Sequence, residues 1–394
     1  MTERHTTPDP RPALFVEPVP EFAETLFGYL PRADQRRWAR VYLQGLLAAP
    51  GRKSIRHLAA AVSGSPTAPQ SLHQFVNASP WDWAPARREL LGWAERRTAV
   101  RALSIGMAIL PKRGEHSCGV HRRFVPTLGR TVNCQLGLGL FASSDVGDLP
   151  VDWRLVLPPP WDEDAGLRER TRIPESVRHQ PLWAHALSLV EAAAADGVRF
   201  PVVADLGDCP DAGPLAIVLR RRGHDFVTSV PANLRVLPAD ADPGTPSAVR
   251  RTDVPPQGGT SALALLHRRG GRGPVPVRPL GPARPRTAQA RSALARLPGT
   301  RQVFRLFTEV HPAEDQRPQV WITNLLDRPA DHLLGLARLS RGTRRALDRL
   351  EQDFGMLDFE GRSYPGWHHH MTLVSAACAY ATTTRSRDPA REIA

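Results

Sequence analysis

AVRALSIGMAIL (residues 99–110) is an apolar run of strand length with no helical stripe, and it reads as a buried strand. Two more strands follow, TVNCQLGLGLFAS (131–143) and VDWRLVLP (151–158). The period then changes to that of an amphipathic helix over PLWAHALSLVEAAAADG (181–197) and returns to a strand at FPVVADLG (200–207). A second helix, AGPLAIVLRRRG (212–223), leads to a further strand, DFVTSVP (225–231). Three strands followed by helix, strand, helix and strand predict an α/β fold around a mixed sheet.

That order is the one a ribonuclease-H-like core requires, although periodicity by itself does not select it over other α/β layouts. Outward from this core, residues 99–235, the chain divides into blocks. Residues 1–20 are polar and Pro-rich and read as a flexible arm. Residues 21–98 form an all-helical N-terminal domain: three-to-four spacing runs through Leu26, Tyr29, Leu30, Trp38, Val41, Tyr42 and Leu46, and again through Ile55, Leu58, Ala59 and Val62. A Ser/Pro break then separates KSIRHLAAAVSG from QSLHQFVNASP. The pair reads either as a helix-turn-helix that presents Ser71, His73, Gln74 and Asn77 to DNA, or as a packing or dimerisation domain. Residues 236–330 form an insertion, Pro/Gly/Arg-rich at its start, with strands returning at RQVFRLFTEV and QVWITNLL. The rich stretch, 236–300, reads as a partly disordered insertion or a phosphate-contact strip. Residues 331–385 hold C-terminal helices, the second beginning near His370, and 386–394 are a tail.

The 394 residues carry 52 Lys+Arg against 39 Asp+Glu, a formal net charge of +13. Only Lys53 and Lys112 are lysines, so nearly all of that charge is guanidinium, the better bidentate phosphate ligand. Such an excess favours polyanions. No apolar run is long enough to span a bilayer and no hydrophobic signal core opens the chain. The four cysteines are widely separated, without a C-x-x-C pair. These features predict a cytoplasmic, nucleoid-associated protein with no membrane partner and neither a disulfide framework nor a zinc module.

Several chemical motifs fail on context. Gly137-Leu138-Gly139-Leu140-Phe141-Ala142 fits G-x-G-x-x-A, but SSDVGDLP follows it where a dinucleotide fold needs a helix. His368, His369 and His370 are adjacent, so at most two share one ion; a helix-start contact with phosphate or a carboxylate is the alternative. Asp205 ends the apolar strand 202–204, where open α/β sheets project functional groups. Asp208 and Asp211 follow it, either as metal ligands or as caps of the helix beginning near Ala212.

Six stretches together resemble the insertion-sequence transposases of the DDE superfamily, in the branch with a Tyr-Arg-Glu-Lys type C-terminal signature. They are RADQRRWARVYLQGLL, KSIRHLAAAV, LHQFVNASPWDWAPARREL, PKRGEHSCGVHRRFVPTLGRTVNCQLGLGL, VDWRLVLPPPWDED and FEGRSYPGWHHHMTLV. The resemblance runs from about Arg32 to Tyr380 and is weakest across 236–330. It implies a ribonuclease-H-like catalytic domain with an inserted region, an N-terminal DNA-binding part, and Mg²⁺-dependent DNA cleavage and strand transfer. Double-stranded DNA is the implied partner, through Lys53, Arg56, His73, Gln74, Arg87, Arg88, Lys112, Arg113, Arg122, Arg123, Arg362, His368 and His369. A homodimer is the family-like expectation.

The catalytic carboxylates do not carry over intact. The resemblance places the first aspartate pair at Gly106 and Met107, and no carboxylate occurs from Thr98 to Gly114. Asp205 matches the second aspartate. The third ligand, a glutamate, falls at Arg344, and a one-turn slip would recruit Asp348 or Glu351 instead. Two Mg²⁺ ions about 4 Å apart need several anionic ligands, and a single Asp205 cannot hold both. Three readings follow: a DNA-binding pseudoenzyme retained as a transcriptional regulator, needing no cofactor; an active transposase using Mg²⁺ bound by Asp205 with ligands such as Glu115, Asp348 or Glu360; or a decayed product with neither activity.

Overall fold

The computed structural model describes residues 17–125, 128–207, 209–239, 259–277, 286–310 and 318–385. The start of the arm (1–16), Asp208, the tail and two stretches of the Pro/Gly/Arg-rich segment (240–258 and 278–285) lie outside the described residues.

Five helices open the described chain: α1 (Val19–Phe27), α2 (Ala33–Ala48), α3 (Ile55–Val62), α4 (Ala68–Asn77) and α5 (Ala84–Arg97). The Ser54 hydroxyl caps α3 by accepting the His57 N–H, and Pro at the first turn starts α4 and α5. Glu17 is docked: its carboxylate accepts from Trp93 Nε1 and Arg97, and its carbonyl from the Tyr380 hydroxyl.

The core begins with β1 (Val100–Pro111), followed by β2 (His121–Val125), β3 (Arg130–Ser144) and β4 (Gly147–Val156). After the short helices α6 (Pro160–Glu163) and α7 (Ala165–Arg170) come α8 (Leu182–Ala195), β5 (Val202–Ala204), α9 (Ala212–Arg221) and β6 (Phe226–Val230). β1, β3 and β4 form an antiparallel meander, and β5 joins β1 in parallel with β6 parallel beyond it. The strand order β4-β3-β1-β5-β6, with helices in the parallel crossovers, is the ribonuclease-H-like mixed sheet that the sequence predicts.

The insertion does not leave this sheet; it extends it. Its elements are β7 (Arg235–Pro238), β8 (Thr260–Ser261), α10 (Ala262–Arg269), β9 (Gly271–Val277), β10 (Arg286–Arg296), β11 (Val303–Val310) and β12 (Val320–Thr323). β12 pairs antiparallel with β6, and β11 and β10 continue outward. β10 falls within the stretch read as partly disordered, which is thereby corrected for these residues. It alternates buried Ala288 and Ala290 with exposed neighbours, and its pairing with β11 from Gln289 to Arg296 outweighs a composition poor in strand formers.

Two long helices close the fold, α11 (Ala330–Gln352) and α12 (Tyr364–Arg385). α12 starts six residues before the expected His370, and nearly all of its residues are buried. It packs on β4, α2, α4 and α5, so it joins the N-terminal helices to the sheet. Gly137 and Gly139 have a packing role: a Cβ would lie 3.2 Å from the Trp367 ring at the first and 2.8 Å from Trp153 at the second.

The three histidines are therefore interior residues. His368 stacks on Trp83 with ring centroids 4.5 Å apart, and His369 on Trp81 at 3.9 Å. His370 Nε2 lies 3.0 Å from the Gly355 carbonyl and must donate to it, so Nδ1 accepts from the Tyr42 hydroxyl at 3.1 Å. Burial holds His369 down at about 4 and His370 at about 3, and burial with the neighbouring Arg87 charge drives His368 well below the usual value.

The His368 and His370 rings are neutral in the fold, as is His185, which burial holds down at about 4, and all three must charge on unfolding below the ordinary imidazole value of about 6.5. Buried Asp148, raised to about 6 by desolvation, gains its proton in the folded state and offsets one of them. Stability present above pH 6.5 is thus lost as pH falls, by about 3 kcal/mol per unit near pH 5. Urea unfolding at pH 7 and pH 5 measures this; equal stabilities would contradict it.

Candidate active-site remnant

β5 ends at Ala204, paired in parallel register with Ile105 of β1, so Asp205 and Gly106 follow on neighbouring strands. α11 crosses this face. An added Cβ on Gly106 would lie 2.7 Å from Thr343 Cγ2 and 3.2 Å from Leu347 Cδ1. One residue further along α11, the Arg344 guanidinium meets Asp205 Oδ2 at 3.0 Å. Topology therefore brings Gly106, Asp205 and Arg344 to one place from three separate elements.

Asp205 is fully engaged there. Oδ1 accepts from the Ser229 hydroxyl at 2.9 Å and from Gln319 Nε2 at 2.8 Å, while Oδ2 takes Arg344. Its side chain is 12% exposed against 74% for Arg344, so one wall of the pair is dry and the other faces solvent. Ser229, on β6, and Gln319, at the mouth of β12, carry no sequence signal; only the sheet's parallel register and the insertion's return to β6 bring them here.

Gly106, where the resemblance puts a first carboxylate, has no room for a side chain. Thr343 fills the space above Gly106, and its hydroxyl donates to Asp148 Oδ2 at 2.6 Å. Met107 is half-buried and offers no oxygen. The alternative ligands do not gather either: Glu360 pairs with Arg52 at 3.0 Å, and Asp348 and Glu115 are exposed. Among the described residues, no three His, Cys, Asp or Glu side chains are placed to hold a metal ion. The donor set does not fit two Mg²⁺ ions. A guanidinium occupies the space where the cation charge would need a carboxylate. Asp211, read as a metal ligand or a cap, stands at the N-cap position of α9 without a side-chain cap hydrogen bond; its carboxylate accepts the Leu182 N–H at 3.0 Å, at the start of α8.

The DNA contacts expected from sequence separate into two sets. Lys53, Arg87, His368 and His369 are buried and partnered, which corrects that expectation for these four. Lys53 Nζ donates to the Ala49 carbonyl. Arg87 spends all five N–H groups inside the fold: on Thr372, on Asp152 and the Trp153 carbonyl, and on the ring and carbonyl of His368. His369 has its two ring nitrogens at the Val76 and Trp81 carbonyls. Lys112 is half-buried, donates to the Phe359 carbonyl at 2.8 Å, and is held down at about 8 by desolvation.

Arg56, His73 and Gln74 are exposed on α3 and α4, and Arg88 is exposed on α5 with Asp196 3.6 Å away. Arg113, Arg122 and Arg362 are exposed, and Arg123 is half-buried. The Cys118 N–H donates to the Arg362 carbonyl, which ties the 112–118 turn to the start of α12. β2, which carries Arg122 and Arg123, is the edge strand of the sheet. The Arg123 charge acts on the thiols of Cys134 and Cys209 against the burial that raises both.

The site is thus an open mixed sheet with a carboxylate at the tip of a central parallel strand and a helix laid across it. The chain belongs to the DDE superfamily endonuclease family, whose model matches residues 25–296, a span that includes Gly106, Met107 and Asp205 and ends before α11. No curated protein matches it. Among solved structures, the piggyBac transposase in its synaptic complex with hairpin DNA is similar to it at 12% sequence identity and a TM-score of 0.41, over 93% of this chain and 72% of that one.

Replacing Gly106 by Ala should destabilise the protein by about 1–3 kcal/mol through overpacking against Thr343. Thr343→Ser removes Cγ2 but keeps the hydroxyl on Asp148, so it should recover part of that loss in the Gly106→Ala background. Denaturant midpoints of the two variants test this; an additive pair would contradict the contact.

Proposed function

We propose that this member of the DDE endonuclease family is a transposase-like protein that binds double-stranded DNA without cleaving it, and that it serves as a DNA-binding regulator. The observation that carries the reading is the Asp205–Arg344 ion pair, which stands where a metal-binding carboxylate cluster would have to be. DNA cleavage by two-metal chemistry needs anionic ligands to hold the cations and position both the attacking and the leaving oxygen. Here the one carboxylate is neutralised by a cation of the protein itself. DNA binding makes no such demand. It needs exposed positive charge, and Arg341, Arg344 and Arg345 on α11 supply it beside the remnant, with Arg122 and Arg123 on the edge strand.

Electrophoretic mobility shift with a duplex carrying the sequence that flanks the protein's own gene tests the binding. The wild type should shift it. Arg122→Glu with Arg123→Glu should weaken affinity about tenfold or more near 0.1 M salt and flatten the salt dependence by about two phosphate contacts. Unchanged affinity and slope in the double variant would remove β2 from the interface, and no shift by the wild type would overturn the reading.

A further inference from the structure

β2 pairs with β3 alone, and only with Arg130–Cys134 at its start. β1 meets β3 from Cys134 onward, and β4 meets it from Leu136 onward. The two strands therefore form a hairpin that runs on past the body of the sheet. Its base is pinned. The Lys112 N–H donates to the Asn133 carbonyl at 2.8 Å, Asn133 Nδ2 to the Gly114 carbonyl at 2.5 Å, and Gln135 Nε2 to the Cys118 carbonyl at 2.6 Å.

This hairpin carries two apolar side chains into solvent. Phe124 is 59% exposed, and Leu128, in the connection to β3, is 50% exposed. No large apolar side chain among the described residues is more exposed than these two. Strand alternation sets Arg122 and Phe124 on one face, with Asn133 and Thr131 opposite them, and turns Val125 inward, where it is buried. The cross-strand partner of Phe124 is the small, exposed Thr131, too short to cover an aromatic ring.

The charge around the ring has one sign. From His116 to Ser144 the sequence holds no Asp or Glu, while Arg122, Arg123 and Arg130 all lie on the hairpin. Arg122 and Arg130 are exposed. A second copy pairing along β2 would set its own Arg122 and Arg123 against these, and like charges across an edge repel. An apolar ring flanked by guanidinium groups fits a partner with an anionic surface and flat apolar faces between its charges, which is DNA.

We propose that the β2–β3 hairpin is a wedge: Phe124 enters duplex DNA at one base step and stacks on the base it exposes, Leu128 packs beside it, and Arg122, Arg123 and Arg130 hold the flanking phosphates. Apolar side chains inserted in this way unstack and kink a duplex. Opening a step costs least where pairing is already weak, so the hairpin selects mismatched or easily distorted DNA. The wedge rests on the DNA-binding reading and specifies its mode: deformation at one step in addition to contact with the phosphates.

A short duplex with one central thymine–thymine mismatch and 2-aminopurine beside it, compared with its fully paired twin, tests this on the full chain. The wild type should bind the mismatched duplex about tenfold more tightly and raise its 2-aminopurine fluorescence. Phe124→Ser should lose both effects yet melt as the wild type does, because the ring is exposed in the folded chain. Phe124→Trp, which keeps a stacking face, should retain both. Equal binding of the two duplexes by the wild type with no fluorescence change would overturn the wedge and leave DNA binding standing. A Phe124→Ser variant that keeps the mismatch preference would do the same. Binding of neither duplex would overturn the wedge and the DNA-binding reading together.

Discussion

One guanidinium holds the two halves of this protein together. Arg87 lies 4% exposed between α5, β4 and α12. A charge so placed is tolerable only if every donor is satisfied and a counter-ion is close. Asp152 supplies the counter-charge from β4, and Thr372 and His368 supply acceptors from α12. Burial lowers the pKa of Arg87, and Asp152 opposes that shift. The demand of one buried cation thereby fixes the tautomer of His368, the docking of α5 and the orientation of α12. Removing Asp152 alone would leave that cation buried and unpaired, which is far more damaging than the pair itself is stabilising.

A second ion pair, on which the proposed function rests, differs from the first in kind. Asp205–Arg344 is half open to solvent and contributes little to stability, as such pairs do. Its significance is its location. Strand β5 delivers Asp205 to the sheet tip, and α11 delivers Arg344 across it, so a fold that concentrates carboxylates for metal chemistry here joins one carboxylate to one cation. Gly106 lets α11 lie close enough for this, because the space that a first side chain would take is filled by Thr343. Charge and sterics close the site together.

Much of this was legible from the sequence. The apolar strands and amphipathic helices of residues 99–231 gave the order of elements along the chain, because buried strands and amphipathic helices leave distinct periods, but not their order in the sheet, which the resemblance supplied. The absence of carboxylates from Thr98 to Gly114 was visible by inspection, and the resemblance placed Arg344 and Asp205 at related positions, which the fold brings to 3.0 Å. Burial of charge was not legible. Arg87 and Arg88 are adjacent on one helix, yet one is interior and the other exposed, and only the arrival of β4 and α12 decides between them. The His368–His370 run looked like a polar helix start, because nothing local shows that tryptophans and backbone carbonyls from α4, the 78–83 loop and the 355–359 turn will enclose it. Gln319 reaches Asp205 only because the insertion rejoins the sheet at β6, a contact across more than a hundred residues.

The proposed function separates DNA binding from the metal site that would cut DNA. A single assay addresses it: supercoiled plasmid carrying the flanking sequence, incubated with the wild-type protein and Mg²⁺ or Mn²⁺, scored for nicked and linear forms under conditions where the protein is bound. The bound plasmid should remain supercoiled with either ion. Nicks that appear with metal and vanish in Asp205→Ala would contradict it, because they would mean that Asp205 leaves Arg344 to ligate a cation.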